Sequence, residues 1–219
     1  MSTADLTRWP ADVRDTCGNV FGQSLRAAQP ALKADARVYE IGCAEFDWLT
    51  HATTAWPDMM FTGIDWRACK PKPEQARVTR IKGDVLAQVY PPASFDWIVG
   101  VSSIEHIGLG HYKQDPKAED GDVAVMCKAY EWLAPGGWMY LDVPWMPGQG
   151  VYHVHGTSHR VYDTEAIYER LNSGGGWISR WEGVYSLRGE LVTDPVRVKG
   201  GESFYYRAFW LQKGLADAA

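Results

Sequence analysis

Five of the six histidines, His106, His111, His153, His155 and His159, fall behind two apolar runs in the middle of the chain. Three carboxylates, Glu40, Asp65 and Asp84, stand at the ends of earlier runs. A carboxylate so placed can accept hydrogen bonds from a diol or hold an ammonium group. Histidine exchanges a proton near neutral pH and suits the removal of a hydroxyl proton as that oxygen attacks an electrophile. His106 or His159 is therefore the candidate base, with Glu105 orienting a histidine or holding substrate and Arg160 pairing with an acidic group. His153-Val154-His155 together with His159 also has metal-ligand spacing, because alternate residues of an extended segment share a face. No carboxylate-rich set accompanies it, so an ordinary polar loop is the preferred reading and no metal is expected. Glu119, Asp120 and Asp122 read as a solvated loop and helix cap.

These residues meet only if the elements between them bring them to one edge. Short apolar runs alternate with Pro and Gly clusters at the interval of a βα unit, which predicts a parallel sheet. Residues 10–28 can hold a helix, broken or delayed at Gly18 and Gly22, that packs over the site or the sheet edge. The strands expected are 37–42, 60–65, about 78–83, 95–101 and 138–143. The fourth is nearly continuous in apolar character, as a strand covered on both faces should be. Helices are expected over 46–55, 122–133 and from an Asp163 cap through 171. Residues 144–160 are rich in Gly, Pro and His and too irregular for a helix, and form the leading substrate loop. Two β-rich stretches, 177–187 and 204–211, finish the sheet in antiparallel fashion. The fold expected is a three-layer α/β/α sandwich of Rossmann-like type. Its seven-stranded sheet is mostly parallel and carries an antiparallel C-terminal strand. One domain spans residues 1–219, with an N-terminal helical segment over 1–36 and the substrate-side loop over 144–162.

In such an open sheet a ligand binds beyond the carboxyl ends of the strands. Glu40-Ile41-Gly42-Cys43 supplies one glycine there where a dinucleotide fingerprint needs three, which argues against NAD or FAD. Gly42 permits close approach of the backbone to a ligand. Asp65, about 20 residues further on, stands where a carboxylate accepts both ribose hydroxyls. Asp84 follows the third strand and could meet an adenine amino group.

The ordered set VYEIGCAEFDWL, FTGIDW, KGDV, FDWIVGVSSIEHIGLG and YEWLAPGGWMYLDVP resembles the class I S-adenosylmethionine (SAM)-dependent methyltransferases over residues 37 to 143. The family's usual further glycine near Ala44 or Phe46 is missing. The resemblance implies a SAM site built from Glu40, Gly42, Cys43, Ala44, Asp65, Trp66, Asp84, Val85, Ser102 and Ser103, with S-adenosylhomocysteine as product. An acceptor met by His111, Tyr112, His155 and Arg160, and catalysis by His106, His159 and Glu105, are expected from the placement of these residues behind the fourth and fifth strands. SSIEHIGLGHY, Gly121-Asp122 and His159-Arg160-Val161-Tyr162 further resemble a methyltransferase-like family associated with sugar and polysaccharide modification, which implies a small polar acceptor such as a sugar hydroxyl. A noncatalytic SAM- or substrate-binding module and a metal-dependent methyltransferase using the His153/His155/His159 loop are the alternatives.

Composition narrows the partners. A net charge of -5 gives no overall basic surface for nucleic acid, so a small-molecule acceptor is expected. No apolar stretch approaches ~18 residues and the N-terminus lacks a secretory pattern, so a cytoplasmic protein without a membrane partner is expected. A homo-oligomer is left open. Cys17, Cys43, Cys69 and Cys127 form no CxxC pair and read as free thiols. The eleven tryptophans could line a pocket but are expected chiefly in the core.

Overall fold

The computed structural model describes residues 2–11, 13, 16–44, 48–67, 77–111, 117–148, 150–154, 158–195 and 204–215, without the side chains of 152–154. Helix α1 is Thr16–Ala28, followed by β1 (Arg37–Ile41), α2 (Trp48–Ala55), β2 (Met60–Asp65), β3 (Val78–Lys82) and β4 (Phe95–Val101). Then come α3 (Gly121–Trp132), β5 (Leu133–Trp145), β6 (Tyr152–Val154), β7 (His159–Val161), α4 (Thr164–Leu171), β8 (Trp177–Tyr185) and β9 (Tyr205–Lys213). Seven strands form one sheet in the order β3-β2-β1-β4-β5-β9-β8. β1 to β5 pair in parallel, and β9 is antiparallel to both β5 and β8. The expected mostly parallel seven-stranded sheet is therefore present, with the chain's last strand as the reversed one.

Alternation along the strands sends side chains into two cores. One face packs α1 and α2 through Phe21, Leu25, Trp48 and Leu49 against Val38, Trp97, Tyr140 and Trp210. The other packs α3 and α4 through Val125, Met126, Ile167 and Leu171 against Ile41, Ile98, Leu141 and Phe209. Aromatic rings carry much of the first core. Trp9 and Phe21 lie 4.5 Å apart between centroids, Trp48 and Trp97 5.2 Å, and Trp97 and Trp210 5.9 Å. Each such pair contributes roughly 0.5–1.5 kcal/mol beyond its buried area. α1 runs unbroken through Gly18 and Gly22; the Trp9 ring lies against Gly22, where an added Cβ would sit 2.7 Å from it.

Two further expectations change. Pro135-Gly136-Gly137 lies within β5, which begins directly after α3. Phe95 pairs with Leu133 and Trp97 with Trp138, so these residues form an irregularity in the ladder between those pairs. The loop expected over 144–160 contains the antiparallel β6–β7 hairpin, and β7 leads back to β5 through a parallel bridge of Tyr162 to Trp145. Asp163 caps α4 as expected, accepting from the Ala166 amide at 2.7 Å. Among the described residues, no helix is long and apolar enough to cross a membrane.

Candidate functional site

The carboxyl ends of β1, β2, β3 and β4 surround a cavity of about 320 Å³. Its wall includes Gly42, Asp65, Trp66, Asp84, Val85, Ser102, Ser103 and His106. Gly42 follows β1 with φ +87, a conformation side chains oppose. A Cβ there would lie 2.1 Å from Ser103 Oγ, so the turns after β1 and β4 close on each other only because residue 42 has no side chain.

Asp65 ends β2 and is 7% exposed. Its Oδ2 accepts from the Ala44 amide at 3.1 Å, so Ala44 shapes the site through its backbone. Its Oδ1 accepts from the Arg67 amide at 2.8 Å. Asp84 accepts from the Leu86 amide at 2.8 Å, capping the 3-10 turn that begins at Val85. Cys43 is outside the cavity wall and packs against Gly63. Glu40 does not line the cavity either: it is 1% exposed, and its Oε2 has no hydrogen-bond partner among the described residues. Burial drives its carboxyl well above the usual range against the pull of Arg80, with Asp65 adding to the rise.

Past β4 the backbone turns sharply. Ser102 takes φ +42, held there by its amide donating to Asp142 Oδ1 on β5 at 2.7 Å. The Ser102 hydroxyl donates to Glu105 Oε1 at 2.7 Å, so this residue joins two buried carboxylates. Burial pushes the Asp142 carboxyl up to about 8, a rise that the Ser102 amide opposes and Glu105 reinforces. Glu105 and His106 form a single 3-10 turn, Ile104–His106. His106 Nδ1 meets the Ser158 carbonyl, which can only accept, so Nδ1 carries the hydrogen. Nε2 is then the nitrogen with a lone pair, 3.7 Å from Glu105 Oε1. The His159 ring stands 5.7 Å from that of His106, and its Nδ1 is 2.9 Å from Ser158 Oγ. The three expected catalytic residues thus meet in space, drawn together by β7.

The substrate-side expectations fare differently. Arg160 is 1% exposed, and its guanidinium donates to the carbonyls of Glu105, Ile107 and Glu119 at 3.3, 2.8 and 2.8 Å while facing Asp122 at 3.6 Å. Among the described residues its donors serve these three carbonyls and Asp122. Asp122 is fully buried and not solvated, paired with Arg170 at 2.7 Å and accepting from the Tyr162 hydroxyl at 3.0 Å. His111 is exposed and outside the cavity wall. Tyr112 and His155 lie outside the described residues, as does the His153 side chain, so the His153/His155/His159 set is not described. Among the described residues no three metal-ligating side chains gather.

Sequence reasoning missed Cys17, Arg67, Ile107 and Tyr206, all in the cavity wall. Arg67 could have been read from its place two residues after Asp65. Cys17 and Tyr206 depend on α1 crossing the sheet and on β9 reversing, which brings the start of β9 to the end of β5. Nine tryptophans are buried in the cores and Trp66 lines the cavity.

The fold is that of the class I SAM-dependent methyltransferases. The chain superposes on 1,6-didemethyltoxoflavin-N1-methyltransferase of Burkholderia thailandensis, whose structure holds 1,6-didemethyltoxoflavin and S-adenosylhomocysteine. The TM-score is 0.60 and the identity 14%, over 92% of this chain and 80% of that one. Coclaurine N-methyltransferase, bound to N-methylheliamine and S-adenosylhomocysteine, gives a TM-score of 0.62 and 10% identity, over 87% of this chain and 69% of that one. The [4+2]-cyclase SpnF gives 0.66 and 16%, over 91% and 83%. No curated protein matches the chain in sequence. One family model does match, over residues 84–213, more than half of the chain and inclusive of Asp84, Ser102, Glu105, His106, Asp142 and His159. The chain belongs to that family, described as "Caenorhabditis protein of unknown function, DUF268".

Proposed function

We propose that the cavity binds SAM and that the chain transfers its methyl group to a small polar acceptor, foremost a hydroxyl of a sugar-like molecule. The observation that carries this reading is the convergence of Gly42, Asp65, Asp84 and Ser102 on one cavity with His106 in its wall. Gly42 leaves the backbone bare for the methionine end, Asp65 accepts from the ribose and Asp84 stands toward the adenine. The buried Glu40 lies outside the cavity wall, so an ammonium group in the cavity would act on its carboxyl only through an intervening water. Bound there, SAM supplies a methyl group on a sulfonium, and S-adenosylhomocysteine is the product.

His106 takes the proton that the acceptor hydroxyl loses. Its Nδ1 hydrogen is fixed by the Ser158 carbonyl, which leaves Nε2 as the basic nitrogen, and the Glu105 carboxylate beside it stabilises the imidazolium that forms. His159 is the second candidate for this role.

The fold alone does not decide between transfer and another use of the site, as the cyclase neighbour illustrates. Calorimetric titration with SAM and S-adenosylhomocysteine tests the ligand, and absence of binding by folded protein would refute it. Release of S-adenosylhomocysteine over a pool of sugars, nucleosides and phenols tests the transfer. Binding without turnover across that pool would favour a noncatalytic module.

A further inference from the structure

Asp65 carries as many donors as a carboxylate can take. Oδ1 accepts from the Arg67 amide at 2.8 Å and from Arg67 Nε at 3.0 Å. Oδ2 accepts from the Ala44 amide at 3.1 Å and from Arg67 Nη2 at 3.1 Å. An ionised carboxylate offers about four lone-pair sites, so none is left for a further donor. The two amides belong to the turns after β1 and β2 and cannot leave without unmaking them. The two guanidinium bonds belong to a side chain that is 31% exposed and lines the cavity.

We infer that Arg67 is an internal competitor for the ribose subsite: its guanidinium must release Asp65 before a ribose diol can bind, two N–H donors giving way to two O–H donors. The inference rests on the reading of Asp65 as the ribose acceptor. It makes Arg67 a determinant of affinity and selectivity. A ligand with both hydroxyls replaces both lost bonds, whereas one that lacks a hydroxyl leaves a buried acceptor unfilled. The pair is partly exposed and therefore open to screening by salt, which should shift the competition toward the ligand.

The test is calorimetric titration of the full chain with S-adenosylhomocysteine, in the native protein, Arg67→Met and Arg67→Lys. Methionine keeps the bulk of the stem and removes every donor, and lysine keeps the charge without the planar fork. Arg67→Met should bind roughly three- to tenfold more tightly than the native protein, with Arg67→Lys between them. Raising salt from about 0.05 to 0.5 M should tighten binding to the native protein and leave Arg67→Met unchanged. Equal or weaker binding by Arg67→Met would overturn the competition while leaving the cofactor reading intact. Failure of both folded proteins to bind would overturn both.

Discussion

His106 Nδ1 is held by the carbonyl oxygen of Ser158, a residue 52 positions away on the approach to β7. This one bond sets the tautomer of the ring and points its basic nitrogen along Glu105. If His106 is the base, His106→Ala should lower methyl transfer by about 10²- to 10⁴-fold, while S-adenosylhomocysteine affinity changes by no more than about threefold. The matching measurements are product release with an active acceptor and calorimetric titration. Turnover that survives in His106→Ala and falls in His159→Ala would move the role to the second histidine.

Gly42 is the position where a single methyl group should do most harm. In Gly42→Ala the new Cβ would meet Ser103 Oγ at 2.1 Å on a backbone at φ +87. Left-handed backbone costs roughly 1–2 kcal/mol for a residue with a Cβ, and overpacking adds about 1–3. Thermal denaturation should show a fall of several degrees in Tm, and affinity for S-adenosylhomocysteine should drop at least about tenfold. Gly42→Ala combined with Ser103→Gly relieves the collision but not the backbone strain, so it should recover only part of both. Full recovery would place the whole effect in the collision.

β4 was legible because burial on both faces leaves a nearly continuous apolar run, and β2 and β4 match their expected spans to the residue. Asp65, Asp84 and Ser102 were legible as strand-end residues because parallel topology places all such ends on one edge. What stayed hidden depends on partners far apart in sequence. The His-rich stretch reads as loop because β6 and β7 have only three residues each, too few for a period to show. Arg160 looks like a ligand for an acidic group because nothing local reveals three carbonyls, from Glu105, Ile107 and Glu119, closing around it. Glu40 looked like a cavity carboxylate from its place beside Gly42, but its side chain is buried outside the wall.

Asp142 predicts a pH dependence with a definite sign. Its carboxyl sits at about 8 in the folded protein because burial penalises the charge, against an ordinary value near 4 in the unfolded chain. The folded state therefore binds more protons between these values, and its stability falls as pH rises from about 4 to about 8. Asp142→Asn keeps a carbonyl oxygen for the Ser102 amide and has no proton to lose. Relative to the native protein it should gain stability progressively across that window, reaching at least about 1 kcal/mol near pH 8 and levelling off above it. Urea denaturation of both proteins from pH 5 to 9, in buffers of equal ionic strength, measures the difference. A difference that stays constant with pH would show that Asp142 does not carry the linkage.

Arg160 offers the sharpest separation between a structural and a ligand-binding role. Its guanidinium ties the β7 strand to the Ile104–His106 turn and to the start of α3, and it shares Asp122 with Arg170. Burial raises the Asp122 carboxyl, but the hydrogen bonds and charges of Arg170 and Arg160, with the Tyr162 hydroxyl, more than reverse this and hold it below its ordinary value. Arg160→Met would strip three carbonyls of a donor and leave Asp122 with one cation fewer. Breaking a buried charge network of this kind costs about 3–5 kcal/mol, so the urea midpoint should fall steeply. Arg160→Lys should recover little, since one ammonium cannot span carbonyls on two segments in the way a planar fork does. A ligand-binding arginine would give the opposite pattern, with the midpoint unchanged and the KM for the acceptor raised. The turn held by Arg160 also carries His106, so the folded fraction of Arg160→Met should lose turnover at saturating acceptor, in kcat and not in KM.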